Sequence, residues 1–244
     1  MSAYQVIASH YDLLTGNIDY ASYSAYIDNK LTENNISGII LDAGCGTGTM
    51  LSLMSRRGYD MIGVDICSEM LAIASNKQTR ALLLQQDLCY LDLYGSISGA
   101  ISTLDVINHF SSEHSLKRFI SRVSLFMDDN GIFIFDMNLP FKHEVVLADN
   151  TFTFEFDECM LIWQNHLKGR RLHIKLDLFT ESKEGFYLRK SESFYEYTYS
   201  LEEIKALIEP DFDILEIIDG ETFRELSEVS ERAVFTTRKR HATL

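Results

Sequence analysis

An α/β fold carrying an antiparallel β insert is what this 244-residue sequence predicts. Three observations carry the prediction. The stretch Ile39-Ile40-Leu41-Asp42-Ala43-Gly44-Cys45-Gly46-Thr47-Gly48-Thr49 reads as a short apolar strand ending in an acidic residue, then glycines at alternate positions, then a helix from Met50 to Arg57. A second strand, Tyr59 to Asp65, also ends in an aspartate, 23 positions after Asp42. From Thr151 to about Tyr199 the pattern changes to strict apolar alternation, as antiparallel strands require.

The glycine turn marks a ligand site at the carboxyl edge of a strand, because alternate glycines let a ligand approach the main chain. A dinucleotide fingerprint needs glycine at the sixth position from Gly44, where Thr49 stands, and a nucleotide-triphosphate loop needs Gly-Lys-Ser/Thr, whereas Gly48 is followed by Thr49 and Met50. Taken alone, the turn is also compatible with a glycine-rich αβ connection that binds nothing. Asp65 is placed to accept hydrogen bonds from both hydroxyls of a ribose, since a carboxylate offers two acceptor oxygens and no donor.

Asp42-Ala43-Gly44-Cys45-Gly46-Thr47-Gly48 resembles the first motif of the class I S-adenosylmethionine-dependent methyltransferases, in which an acidic residue and Gly-x-Gly-x-Gly close the first strand. The resemblance implies a Rossmann-like, seven-stranded methyltransferase sheet flanked by helices, of a bacterial small-molecule type with an antiparallel β insert after the fifth strand. It implies that Asp42, Gly44, Cys45 and Gly46 lie near the methionine end of the cofactor, with Asp65 on the ribose and Ile66 and Met70 on the adenosine side. It further implies that Asp87 takes the adenine amino group and the Leu88 main-chain NH reaches a ring nitrogen. Main-chain carbonyls at Ser102 and Thr103 would meet the methionine amino group.

Before the glycine turn, residues 4 to 31 read as helical and rich in tyrosine. Their Tyr11-Asp12-Leu13-Leu14 and Asp19-Tyr20 resemble an amino-terminal lid, which makes Tyr11 and Tyr20 candidates for cofactor contact; rings packed on the sheet are the alternative. After the turn come a helix from Ser68 to Asn76, a third strand from Ala81 to Gln85 and a fourth from Ala100 to Leu104. Asp105-Val106-Ile107-Asn108-His109 follows and resembles the segment of small-molecule methyltransferases that meets the acceptor. Asn108 and His109 are therefore the acceptor-side candidates, His109 either as a general base or as a supporting hydrogen-bond partner. A helix from about Ser111 to Phe126, a turn at Asp128-Asp129-Asn130-Gly131 and a fifth strand from Ile132 to Asp136 come next. Metal-dependent catechol methyltransferases carry adjacent Asp-Asn at this strand end. Here Met137 separates Asp136 from Asn138, and no metal is expected.

In the insert, turns are expected at Lys168-Gly169-Arg170 and Ser182-Lys183-Glu184-Gly185. Tyr187-Leu188-Arg189 with Glu192 resembles a pattern of β-insert methyltransferases, so Arg189 is a candidate anchor for a substrate carboxylate and Tyr197 a second substrate contact. An ion pair on the sheet surface is the competing role for Arg189. Ser200-Leu201-Glu202-Glu203 is a capping box that opens a helix to Leu207, and Phe212 to Ile218 and Ala233 to Arg238 supply the last two strands. The expected organisation is a lid (1–36), a cofactor-binding core (37–145 and 200–244) and an insert (146–199).

Composition bounds the rest. A net charge of −14 opposes a polyanionic partner, and Arg238-Lys239-Arg240 is the one basic stretch. No run of 18 apolar residues occurs, and Met1-Ser2-Ala3-Tyr4-Gln5 lacks the regions of a signal peptide. Cys45, Cys67, Cys89 and Cys159 lack zinc-ligand spacing and read as reduced. The expectation is a soluble cytoplasmic monomer or homodimer acting on a small molecule, not on nucleic acid or at a membrane, with S-adenosylmethionine as methyl donor and S-adenosylhomocysteine as product. The expected chemistry is in-line methyl transfer to nitrogen or oxygen. An S-adenosylmethionine-binding regulatory or docking protein without catalysis is the alternative.

Overall fold

The computed structural model describes residues 4–77, 80–157, 159–182 and 184–241; Met1, Ser2, Ala3 and Lys183, which was expected in a turn, lie outside them. The first five strands are β1 (Ile39–Ala43), β2 (Asp60–Asp65), β3 (Leu82–Gln85), β4 (Ile97–Ser102) and β5 (Met127–Asn138). The insert supplies β6 (Thr151–Glu155), β7 (Cys159–Lys168), β8 (Arg171–Glu181) and β9 (Tyr187–Tyr197), after which β10 (Phe212–Asp219) and β11 (Arg232–Lys239) rejoin the core. The helices are α1 (Tyr11–Leu14), α2 (Tyr20–Glu33), α3 (Thr49–Arg56), α4 (Ser68–Ser75), α5 (Glu113–Phe126) and α6 (Leu201–Ile208).

Seven strands pair in the order β10-β11-β5-β4-β1-β2-β3, and β6 to β9 form a separate four-stranded sheet in sequence order. In the large sheet the pairs from β3 to β5 are parallel, while β11 runs antiparallel to both β5 and β10. This is the expected Rossmann-like methyltransferase sheet, with the antiparallel strand second from one edge.

Why the sheet is buried on both faces is visible in β5. Phe133 and Phe135 point into one core with Leu41, Ala43 and Phe119, while Ile132 and Ile134 point into the other with Ile40, Met54 and Ile27. Period-two alternation of two apolar residue types serves two apolar layers. Capping boxes at Ser112/Ser115 and Ser200/Glu203 start α5 and α6. The insert's inner face, Leu161, Leu172, Ile174, Leu176 and Leu178, closes over Ile7 and Leu147.

Three expectations need correction. The amino-terminal helix is broken, because after α1 the chain turns through Thr15–Asp19 before Asp19 caps α2. The segment 128–131 is not a free turn but part of β5, with Asn130 left-handed and a register shift against β4. Finally, β4 begins at Ile97 and stops at Ser102, so that Leu104 is left-handed (φ 61°) instead of extended, as is Asp105 after it (φ 60°).

The last difference has a physical cause in Asp136 at the end of β5. Its fully buried carboxylate accepts the main-chain NH of Leu104 (2.7 Å) and Asp105 (2.6 Å), the Tyr23 hydroxyl (2.5 Å) and an Arg232 guanidinium N–H (2.8 Å). Arg232 reaches Asp105 as well, at 2.9 Å. Left-handed backbone at two non-glycine residues is disfavoured, and it persists because these bonds define it. Asp136→Ala leaves Arg232 buried without its main partner and should lower unfolding stability by about 3–5 kcal/mol, read from urea denaturation. A loss under about 1 kcal/mol would mean that the loop holds itself.

Candidate active site

The glycine turn leaves β1 with Gly44 and Cys45 donating to the Val64 carbonyl at 2.7 and 3.0 Å, which pins it beside β2. Gly44 (φ 81°) has no room for a side chain, since a Cβ there would lie 2.6 Å from Val106 Cγ2. At Gly46 (φ 51°) a Cβ would meet nothing within 4 Å. The turn is therefore tight on one side and open on the other, where a cavity of about 580 Å³ begins.

Asp42 and Asp65 give that cavity its charge. Asp42 is buried, its Oδ2 has no hydrogen-bond partner, and burial followed by the charge of Asp65 pushes it up to about 7. Asp65 is also raised, mainly by burial. Its Oδ2 accepts the Gly46 NH at 2.8 Å and its Oδ1 the Cys67 NH at 2.8 Å. Each carboxylate oxygen carries two lone-pair sites, so Asp65 shapes the loop and still keeps acceptor capacity for a ligand.

The other expected cofactor residues fall round the same cavity. Cys45, Ile66 and Met70 line it from the glycine turn and the start of α4, and Thr103 from beyond β4. At the far end Asp87 caps a short 3₁₀ turn by accepting the Cys89 NH at 2.9 Å, with Leu88 beneath. Tyr11 and Tyr20 cover it from the amino-terminal segment, and His109 and Tyr197 complete the wall. The covering segment is fastened at two points. Asp12 accepts the hydroxyls of Thr47 (2.5 Å) and Thr49 (3.1 Å) and pairs with Lys77 (2.7 Å), while Glu192 of β9 accepts the NH of Gln5 (3.0 Å) and Val6 (3.1 Å).

Three expected residues lie elsewhere. Ser102 is fully buried and donates to the Ala43 carbonyl at 2.8 Å, tying β4 to β1, so Thr103 alone of that pair reaches the cavity wall. Asn108 is also fully buried: its amide donates to the carbonyls of Asn138 (3.2 Å) and Tyr197 (3.1 Å), and its oxygen accepts the Asn138 NH (2.8 Å). It joins β5 to β9 and has no donor left for an acceptor molecule. Arg189 lines neither cavity; it pairs with Asp177 at 2.8 Å on the outer face of the insert, where Ser191 bonds the same carboxylate. The surface ion pair is what the fold makes of it.

A second cavity, of about 540 Å³, shares Tyr4, Tyr11, Leu104 and Phe194 with the first. Its wall includes Trp163, Phe154 and Leu176 from the insert and Tyr23 and Phe223 from the core. Tyr4 stands at the junction, with its hydroxyl 3.0 Å from His109 Nε2 and its ring edge-on to Tyr11 at 5.5 Å. Burial above all raises the Tyr4 and Tyr11 hydroxyls well above their ordinary range, so both stay protonated. Among the charged groups, burial works against ionisation of Asp105, but the charges of Arg232 and Lys142 outweigh it and hold Asp105 low. Lys142 is lowered by burial and then by Arg232.

Sequence reasoning missed Tyr4, Asp105, Glu196 and the Asp12 clasp. Glu196 had a local signal: on β9 it shares a face with Glu192 and Phe194, so a carboxylate stands among inward-facing positions. For Asp12 and Asp105 the partners are distant in sequence, and no local signal existed.

A family model described as a methyltransferase domain matches residues 40–131. A putative methyltransferase of Geobacillus sp. (strain WCH70) is 29% identical over 97% of this chain and 99% of its own length. A solved S-adenosylmethionine-dependent methyltransferase from Clostridium acetobutylicum superposes with a TM-score of 0.87 at 27% identity, over 94% of this chain and 95% of that one. A sugar N-methyltransferase from Streptoalloteichus sp. shares the fold, with a TM-score of 0.79 at 18% identity, over 95% of this chain and 93% of that one. The chain is an S-adenosylmethionine-dependent methyltransferase.

The site fits that cofactor on its own chemistry. Asp42 holds an unpartnered buried oxygen for a cation, Asp65 has acceptor capacity for hydroxyls, and Gly46 leaves room for the ligand. Asp65→Ala should weaken S-adenosylmethionine binding by about 1–3 kcal/mol in calorimetry; unchanged affinity would remove Asp65 from the site. The raised Asp42 also predicts a pH dependence. Below about 7 its carboxyl is protonated in the free protein, and a cationic ligand must displace that proton. Affinity should therefore fall by up to about tenfold per pH unit between pH 7 and 5, and Asp42→Asn should flatten the profile.

Proposed function

We propose that this methyltransferase transfers a methyl group in line to a nitrogen or oxygen of a small molecule held in the second cavity. The observation that carries the reading is the shared wall: Tyr4, Tyr11, Leu104 and Phe194 border both cavities, so the two spaces adjoin at this junction. Bound in the first cavity, S-adenosylmethionine supplies a methyl group already activated by its positive sulfur. What the chain's residues then do is align and dehydrate, for which effective molarities are worth on the order of 7–11 kcal/mol.

The amino-terminal segment suits that task as a lid. Asp12 fastens it to the glycine turn and Glu192 fastens it to the insert, which sets Tyr4 and Tyr11 over the junction. The insert, residues 146–199, forms the far wall of the acceptor space, and its aromatic side chains suit a compact organic molecule. A cavity of about 540 Å³ also speaks against a purely regulatory role, which would be expected to fill the acceptor space with the protein's own side chains.

The overall charge of −14 favours a small molecule over a nucleic acid, and the sugar N-methyltransferase among the structural neighbours is compatible with that choice. No metal is invoked, because Arg232 already pairs with both Asp105 and Asp136 at the acceptor end. Among the described residues no helix is long and apolar enough to cross a membrane.

Incubating the protein with S-adenosylmethionine and a panel of metabolites, and following release of S-adenosylhomocysteine, tests the reading. At least one small molecule should be turned over. Methylation confined to RNA or protein substrates would replace this reading with a macromolecular one.

A further inference from the structure

The polar groups on the acceptor side of the junction are mostly acceptors. Asp105, His109 and Glu196 each bring one ligating atom within 4.8 Å of the others. Glu196 is 4% exposed and is held by His143 Nε2 at 2.9 Å and by the Asn138 amide nitrogen at 3.3 Å. Because the Asn138 N–H faces that carboxylate, its Oδ1 is turned away from it. That oxygen is buried without a hydrogen-bond partner, although Asn138 forms part of the cavity wall. A buried acceptor without a donor is disfavoured, and on the wall of a ligand cavity the missing donor is the ligand's to supply.

The cations on the same wall are engaged already. Arg232 holds Asp136 and Asp105, and Lys142 approaches Glu231 at 3.8 Å. From this arrangement, and resting on the methyl-transfer reading above, we propose that the acceptor is an amine, bound as its ammonium by Asp105, Glu196 and Asn138 Oδ1. A hydroxyl has one hydrogen to donate and can satisfy one of these groups. A primary ammonium has three, with a charge that matches the carboxylates.

The arrangement also supplies the proton acceptor that an ammonium needs. One N–H proton moves from the ammonium to the Glu196 carboxylate, leaving a lone pair on nitrogen. That lone pair forms the new N–C bond while the electron pair of the C–S bond stays on sulfur, and the product is an N-methylammonium beside a thioether. The proton on Glu196 exchanges to solvent as the product leaves. His143, between Thr198 (2.8 Å) and Glu196, is a positioning residue for this carboxylate.

Calorimetry on the full chain loaded with S-adenosylhomocysteine, titrated with benzylamine or benzyl alcohol, tests the proposal, since the two probes differ only in the head group. Benzylamine should bind at least about tenfold more tightly, and Glu196→Gln or Asp105→Asn should remove that margin without weakening the alcohol. Thermal unfolding reports whether each variant folds; should either fail, the wild-type comparison decides alone. Equal binding, preference for the alcohol, or binding of neither overturns the amine assignment. Binding of S-adenosylhomocysteine is measured first. Its absence would sink the cofactor reading, whereas intact cofactor binding with no amine preference sinks the acceptor assignment alone.

Discussion

The carboxylate of Asp136 holds this site together. It sits with no exposed side-chain surface near the end of β5 and takes four donors: two main-chain NH groups of the loop after β4, a tyrosine from α2 and the guanidinium of Arg232 from β11. A buried charge of this kind is tolerable only when fully hydrogen-bonded. The consequence is that the loop carrying Leu104, Asp105 and Val106 has one available geometry. Val106 then packs against Gly44, and Leu104 lies between the two cavities. The loop that borders the glycine turn and both cavities is thus held by that carboxylate.

Electrostatics divide the two halves of the site. Around the first cavity, burial above all raises the cost of ionising Asp42 and Asp65, and at Asp42 the charge of Asp65 adds to it. A ligand that brings an ammonium and a sulfonium relieves both, so the strain in the free protein becomes selectivity for a cationic ligand. On the acceptor side, Arg232 and Lys142 keep Asp105 ionised, and Glu196 is kept in place by hydrogen bonds from His143 and Asn138. The insert supplies Glu196 and the core supplies Asp105, so the second cavity is walled by both.

Residue by residue, legibility followed sequence distance. The glycine turn, Asp65, Asp87 and the capping boxes are local patterns whose partners lie within one βα unit, and the fold places them round one cavity. Asn108 looked equally polar and equally well placed, yet it sits fully buried between β5 and β9, because the carbonyls that take its amide belong to Asn138 and Tyr197. Arg189 went the same way, since Asp177 lies opposite its neighbour Ser191 on the adjacent strand. Neither partner could be read from local spacing.

By itself the sequence determined the layer architecture, through period-two apolar runs such as Ile132-Phe133-Ile134-Phe135, and the glycine turn after β1, whose spacing rejects a dinucleotide fingerprint and a nucleotide-triphosphate loop. Those are properties of short segments, where backbone geometry follows from side-chain pattern. Only the tertiary structure decided which polar residues face a ligand. It brought Tyr4, Asp105, Asn138 and Glu196 to one junction from four distant parts of the chain, and it turned Ser102, Asn108 and Arg189 to structural partners. A polar side chain binds whatever donor or acceptor the fold brings nearest, and that choice is made by packing between elements.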